Sequence, residues 1–399
     1  MKKNLFFKVF AILLIVCSLF IFTACNNGDG DNNDVPFTPA DHSNALTPKV
    51  VLFIGDGMGP NHTYNTELYA GESMYFSSFA TKTKVETNSL SGLTDSAASA
   101  TAMATGKSVY NGTIALDGKT AIMSITELAK RDLYGAGVVT SDEITGATPG
   151  GFSAHAKSRN NSAEILLSQK DSPIDLLIGA GSYSDVYTNL FVEKGWTWVE
   201  SKANLTTERK RFVATFDEVT YADGTDTAPT LTELATYAID YMELNYPTGY
   251  FLMIEGAKID KASHSNDVSE MINNHLDFDR AIKAVDLKLQ AQSLGYSLIV
   301  TADHETGGIQ KAETIEQITD DLYTTTNHTA TNVNLYFKTT LTTVPERLNK
   351  ELISNTEVFL LCKELLSIAR LQRNGIAARQ APSVFSELSV GITMERNIC

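Results

Sequence analysis

Residues 49–54, Lys-Val-Val-Leu-Phe-Ile, form an apolar, β-branched run that stops at Gly55-Asp56-Gly57. A run so short and so uniformly apolar reads as a strand buried on both faces, ending where Asp56 is presented. The same character returns at residues 135–140, 174–178, 250–255 and 296–301. Helical patterns lie between these runs. Thr230-Leu-Thr-Glu233 is a capping box opening a helix over residues 231–244, with Leu231, Leu234, Ala238 and Met242 on one face. A second helical stretch covers 267–292, and a shorter one 357–366. Strands alternating with helices imply an α/β fold, with a largely parallel central sheet flanked by helices on both faces. Such sheets bind ligands in the crevice beyond the strand C-termini. Asp56, Glu255 and Asp303 all fall at or just past such ends. No internal repeat interrupts the pattern.

Six short segments carry the chemistry. They are Phe53-Ile-Gly-Asp-Gly-Met-Gly59, Thr94-Asp-Ser-Ala-Ala-Ser-Ala-Thr101, Ala147-Thr-Pro149, Ile254-Glu-Gly-Ala-Lys-Ile-Asp-Lys-Ala-Ser-His264, Thr301-Ala-Asp-His-Glu-Thr-Gly-Gly308 and Asn327-His-Thr329. Their donors are carboxylate, imidazole and hydroxyl, with no thiolate. That set favours Zn²⁺ where histidine takes part and Mg²⁺ where all ligands are oxygen. Asp260 and His264 are four residues apart, so a helical turn puts both on one face. Asp303 and His304 are neighbours in sequence, and Gly307-Gly308 just after them permits the backbone that would let both reach one ion. Ser96 lies in the first turn of a small-residue helix. Asp95 or Ser96 could be simply an N-cap there, and Ser99, one turn on, is the competing hydroxyl. His42, His62, His155 and His275 read as packed or surface residues.

In this order the segments resemble the alkaline phosphatases, over a span from about residue 49 to 366. The resemblance implies hydrolysis of phosphate monoesters through a phosphoserine at Ser96. It makes Asp260, His264 and His328 the ligands of a first Zn²⁺, and Asp56, Asp303 and His304 those of a second. Asp56 also bridges to a Mg²⁺ completed by Thr148 and Glu255. Arg159 becomes the phosphate clamp, and Lys261 reaches phosphate through water. Gly146 departs from the family, which commonly has Asp or His at a position that supports the magnesium ion from outside its ligands, and magnesium affinity is left open. The stretch between His304 and His328 is short, implying a reduced crown insertion, so the dimerisation that the crown supports in relatives is not carried over. The same scaffold also serves phosphodiesterases and sulfatases. A non-catalytic lipoprotein that binds metal or phosphate is the reading from another class.

The 399 residues carry a net charge of −15, which excludes the basic surface that non-specific nucleic-acid binding needs. Lys2, Lys3 and Lys8 precede an apolar run from Val9 to Phe22, too short for a membrane span and suited to a signal peptide over residues 1–24. Phe22-Thr-Ala-Cys25 resembles a bacterial lipobox, which would put a lipid anchor on Cys25. Residues 25–48, rich in Asn, Asp and Gly, then form a flexible tether. Expected are an exported protein held at the cell envelope, a catalytic domain at 49–366, and a tail of unclear role at 367–399. Cys362 and Cys399 could pair, but the fold does not rest on a disulfide framework.

Overall fold

The computed structural model describes residues 48–380 apart from 209–210, 222–223 and 293–294, with side chains to residue 367. The expected leader, Cys25, the tether up to residue 47 and the tail beyond 380 lie outside the described residues. A ten-stranded mixed sheet forms the centre. Its strands are β1 (Lys49–Gly55), β2 (Thr81–Glu86), β3 (Gly135–Glu143), β4 (Leu176–Ala180), β5 (Trp196–Val199), β6 (Arg211–Phe216), β7 (Tyr250–Gly256), β8 (Ser297–Thr301), β9 (Val333–Thr339) and β10 (Leu352–Ser354). Their spatial order is β10-β2-β9-β8-β1-β7-β3-β4-β6-β5. All neighbours pair in parallel except those of β9, which runs antiparallel to both β8 and β2.

Every residue of β1 is buried. Successive side chains point to opposite faces of a sheet, so both faces are covered there. Phe53 packs edge-on against Phe278 of a long helix, with ring centres 6.0 Å apart. Phe251, the register partner of Val50, points to the other face and stacks on Phe152 at 6.2 Å. Fully burying a side chain of this size stabilises by about 1.5–3 kcal/mol, which is why the central strands tolerate no polar residue until their ends.

Six helices matter for the site: α1 (Ser96–Thr105), α2 (Ala147–Ser153), α3 (Leu231–Asn245), α4 (Lys258–His264), α5 (Val268–Gln292) and α6 (Asn355–Gln380). The capping box on α3 forms as the sequence predicts: Thr230 accepts from the Glu233 amide, and Glu233 accepts in return from the Thr230 amide. The closing helix is longer than the 357–366 expected, so the first part of the supposed tail belongs to α6. Residues 367–380 are proline-free and rich in Ala, Arg and Gln, which favour helix even without a clear apolar stripe. Between His304 and His328 there are only a two-residue strand and two single 3₁₀ turns, Ile315–Gln317 and Asp320–Leu322, consistent with a reduced crown. Among the described residues, no helix is long and apolar enough to cross a membrane.

Candidate active site

Four neighbouring parallel strands, β8, β1, β7 and β3, point their C-terminal ends at one place. Each carries a carboxylate within two residues of its end: Asp303, Asp56, Glu255 and Asp142 respectively. Adjacent strands lie about 4.8 Å apart. Like charges at such spacing repel by roughly 3 kcal/mol at an effective dielectric near 20. Burial adds to that cost. Asp56, Glu255, Asp260 and Asp303 are all buried. Burial first, then the charges of Asp303, Asp260 and Glu255, push Asp56 well above the usual carboxylate range. Burial and Asp260 push Asp303 up to about 7, and burial and Asp142 push Glu255 up to about 8.

The backbone at β1 explains the glycines around Asp56. Gly57 has φ +73, and a Cβ there would lie 2.9 Å from Asp260. Only glycine meets both demands. Its amide donates to Asp303 Oδ1 at 3.1 Å, locking the ends of β1 and β8 together.

The imidazoles converge on these carboxylates. His304 Nε2 lies 3.2 Å from Asp303 Oδ2 and 3.6 Å from Asp56 Oδ1. One ligand atom from each of Asp56, Asp303 and His304 falls within 4.8 Å of the others, the set predicted for the second zinc. A second group of the same tightness joins Asp260, His304 and His328. His264 Nε2 adjoins it, 3.1 Å from His328 Nε2 and 3.3 Å from Asp260 Oδ2. The predicted first set of Asp260, His264 and His328 is therefore assembled, with His304 stacked on His328 at 3.5 Å between ring centres. The outer nitrogens are fixed by carbonyls: His264 Nδ1 lies 2.6 Å from Thr326 O, and His328 Nδ1 2.9 Å from Thr94 O. Such contacts set ring orientation and leave Nε2 free to bind. Burial, followed by His328 and Arg159, holds His304 well below the ordinary imidazole range, so its ring is neutral.

Ser96 Oγ is 3.1 Å from His304 Nε2. The capping alternative is also realised, but by its neighbour: Asp95 accepts from the Ala98 amide and starts α1. Ser99 donates to the Asp303 carbonyl at 2.7 Å and braces that loop. Asp95 Oδ2 also accepts from Arg159 Nη1 at 3.2 Å, which brings the half-exposed guanidinium to the mouth of the site. The Thr148 hydroxyl, in the first turn of α2, donates to Asp56 Oδ2 at 3.5 Å and also bonds Glu255. Lys261 pairs with Asp142. Every predicted site residue is thus in one neighbourhood.

Several contributors are absent from the sequence reading. Thr306 donates to Asp260 Oδ1 and sits 3.2 Å from His304 Nδ1, linking the two groups. Thr140 donates to Glu255. Asp142 obeys the strand-end rule that revealed Asp56, Glu255 and Asp303, and that rule would have found it. The histidines set aside are structural: buried His62 lies 3.0 Å from Ser263 Oγ, His275 3.1 Å from Thr66 Oγ1, and His155 2.9 Å from Ala115 O and 3.0 Å from Glu127. His42 lies outside the described residues.

The site's fit to cations rests on two atoms. Asp56 Oδ1 and Asp303 Oδ2 are buried and accept no hydrogen bond. Buried carboxylate oxygens are normally bonded, paired or bound to metal. Here the two orphans face a neutral imidazole among other carboxylates, an arrangement that divalent cations would complete.

A family model described as alkaline phosphatase matches residues 48–177 and 179–359. Alkaline phosphatase 4 of Bacillus subtilis (strain 168) is 35% identical over 233 residues, covering 54% of this chain and 50% of that protein. Alkaline phosphatase 3 of the same organism is 32% identical over 290 residues, covering 65% and 61%. The chain therefore spans about half to three-fifths of the length of these curated relatives. The solved alkaline phosphatase from the Antarctic bacterium TAB5 superposes with a TM-score of 0.68 at 26% identity, over 81% of this chain and 98% of that one. A mutant of that enzyme has been solved with Mg bound in its M3 site. With the matched residues spanning the sheet, the strand-end carboxylates and all three converging histidines, the chain belongs to the alkaline phosphatase family.

Proposed function

We propose that this chain hydrolyses phosphate monoesters to an alcohol and inorganic phosphate, with Ser96 as nucleophile, at a site for two Zn²⁺ and one Mg²⁺. The observation that carries the reading is the Ser96 hydroxyl 3.1 Å from His304, at a helix start beside a buried cluster of partnerless carboxylate oxygens. Asp56, Asp303 and His304 would hold one Zn²⁺, and Asp260, His264 and His328 the other. Asp56, Thr148 and Glu255 offer an all-oxygen set suited to Mg²⁺. Bound there, such cations supply Lewis-acid charge that offsets the substrate dianion, activates the attacking oxygen and stabilises the leaving one.

The chain's own residues do the rest. Asp95 fixes one arm of Arg159, orienting the planar guanidinium so that its remaining N–H groups can grip two phosphate oxygens. The N-terminus of α1 places backbone dipoles under the incoming anion. Ser96 Oγ gives its proton to water and bonds to phosphorus as the ester oxygen departs and takes up a proton from water. Water then cleaves the phosphoserine, restoring the serine hydroxyl and releasing phosphate. The test is Ser96→Ala against an aryl phosphate, with bound zinc measured alongside. Turnover should collapse while zinc stays; unchanged turnover rejects Ser96. Monoester, diester and sulfate substrates compared at equal concentration separate this reading from diesterase and sulfatase.

The leader and Cys25 support a matching proposal for location: export, followed by a lipid anchor that holds the catalytic domain at the cell envelope. Cys25→Ser should release active protein from the membrane fraction. Retention of that variant on membranes would contradict the anchor.

A further inference from the structure

Gly146 opens α2, two residues before Thr148. Its backbone is ordinary, with φ −55, so conformation does not demand glycine. Space does. A Cβ at 146 would lie 2.7 Å from Asp142 Oδ2 and 3.0 Å from the Glu143 carbonyl. The volume that a side chain at 146 would enter is already occupied by the carboxylate of Asp142, which arrives from four residues earlier.

The end of β3 is shaped to deliver it. The pairing of β3 with β4 shifts register between Val139 and Glu143. Gly179 on β4 faces this irregularity, and a Cβ there would lie 2.7 Å from the Asp142 carbonyl. Bulges of this kind redirect side chains at strand ends. The Asp142 amide donates to Thr140 Oγ1 at 2.8 Å, and Thr140 in turn donates to Glu255. The Asp142 carboxylate then pairs with the ammonium of Lys261, the residue after Asp260. Asp142 is therefore linked through its amide and Thr140 to Glu255, and through its carboxylate to the helix α4 that carries Asp260 and His264.

We propose that Asp142 is the positioning residue of the third, all-oxygen cation site, supplying from β3 the carboxylate that position 146 lacks. It does so by tying Lys261 to the strand end and by placing negative charge beside Glu255 and Thr148. The proposal rests on the three-cation reading above, but it concerns magnesium alone, and the Ser96 and zinc tests judge that reading separately.

The experiment is titration of Mg²⁺ into zinc-loaded protein, followed by calorimetry, for wild type, Asp142→Asn, and the double variant Asp142→Ala with Gly146→Asp. Removing a supporting group outside the ligands typically weakens metal affinity by about 10–100-fold. Asp142→Asn keeps the shape and should fall in that range with its zinc content unchanged. In the double variant the carboxylate returns from the helix start, where Asp is a favoured cap, and most of the lost affinity should return. Affinity in Asp142→Asn equal to wild type overturns the proposal, as does a loss that the double variant fails to repair while it melts at the wild-type temperature. A wild type that takes up no Mg²⁺ also overturns it, while Ser96-dependent turnover with zinc would still stand.

Discussion

The site has two walls of opposite character. One is built from the strand ends, where Asp56, Glu255, Asp303 and His304 are buried and locked by backbone contacts such as Gly57 to Asp303. The other is built from helix α4 and loops, where His264, Arg159 and Lys261 are roughly a third to a half exposed. The buried wall is fixed by the sheet and is electrostatically uncomfortable without cations. On the proposed function, the open wall is where an ester would enter and an alcohol would leave. The lesson is a division of labour: rigidity and metal retention on one side, substrate contact on the other. Substitutions should sort accordingly, into changes of metal content and kcat on the buried wall and at His264, and changes of KM at Arg159 on the open wall.

Ser96→Ala stands between the walls and should have the largest effect, about 10³-fold or more in kcat, since nucleophiles act as units with their activators. Zinc content would stay near that of the wild type. His304→Ala comes next, because its ring belongs to both ligand groups; metal analysis should show zinc lost together with activity. Equal zinc in that variant would break the assignment of the buried wall. Arg159→Lys is milder. A lysine keeps the charge but not the fork, so KM should rise about tenfold with a smaller change in kcat. A pure kcat effect would move Arg159 from the open wall to the chemistry.

The metal-free protein offers a pH test of the buried wall. Asp303 is raised to about 7 and Glu255 to about 8, so the folded state retains protons that the unfolded chain releases above about pH 4. Stability from these groups is full below that pH and is lost as pH rises through 7 and 8. Chelated protein should therefore melt at steadily lower temperature between about pH 5 and pH 8.5, whereas metal-loaded protein should not follow that decline. Parallel curves would contradict the cluster's need for cations. The smallest effect belongs to His155→Ala, whose ring bonds Ala115 and Glu127 and neither wall: turnover within about twofold, and stability reduced by about 1 kcal/mol through lost hydrogen bonds.

The central strands were legible because burial on both faces makes them continuous apolar runs. The outlying ones were not. Thr81-Lys-Thr-Lys-Val-Glu86 alternates exposed and buried positions along most of its length, so it lacks an apolar run. Val333–Thr339 runs antiparallel and mixes Asn and Lys into its pattern. The ligand residues were readable because each sits in a chemically unusual segment, with Asp56, Glu255 and Asp303 at strand ends. Asp142 lay within reach of the strand-end rule, two residues past the apolar run that stops at Thr140, but its place beside Gly146 was hidden, because an irregular register carries the strand three residues further. The glycine at 146 looked like a missing support, and only coordinates show the carboxylate filling its place.

Metal quantification with activity, before and after chelation and return of zinc and magnesium, tests the central claim most directly. Convergence of these side chains on three cations predicts two zinc and one magnesium per chain, turnover abolished by chelation, and recovery only when metal returns. Full hydrolysis by metal-free protein, or tight metal with no hydrolysis of any phosphate ester, would contradict it.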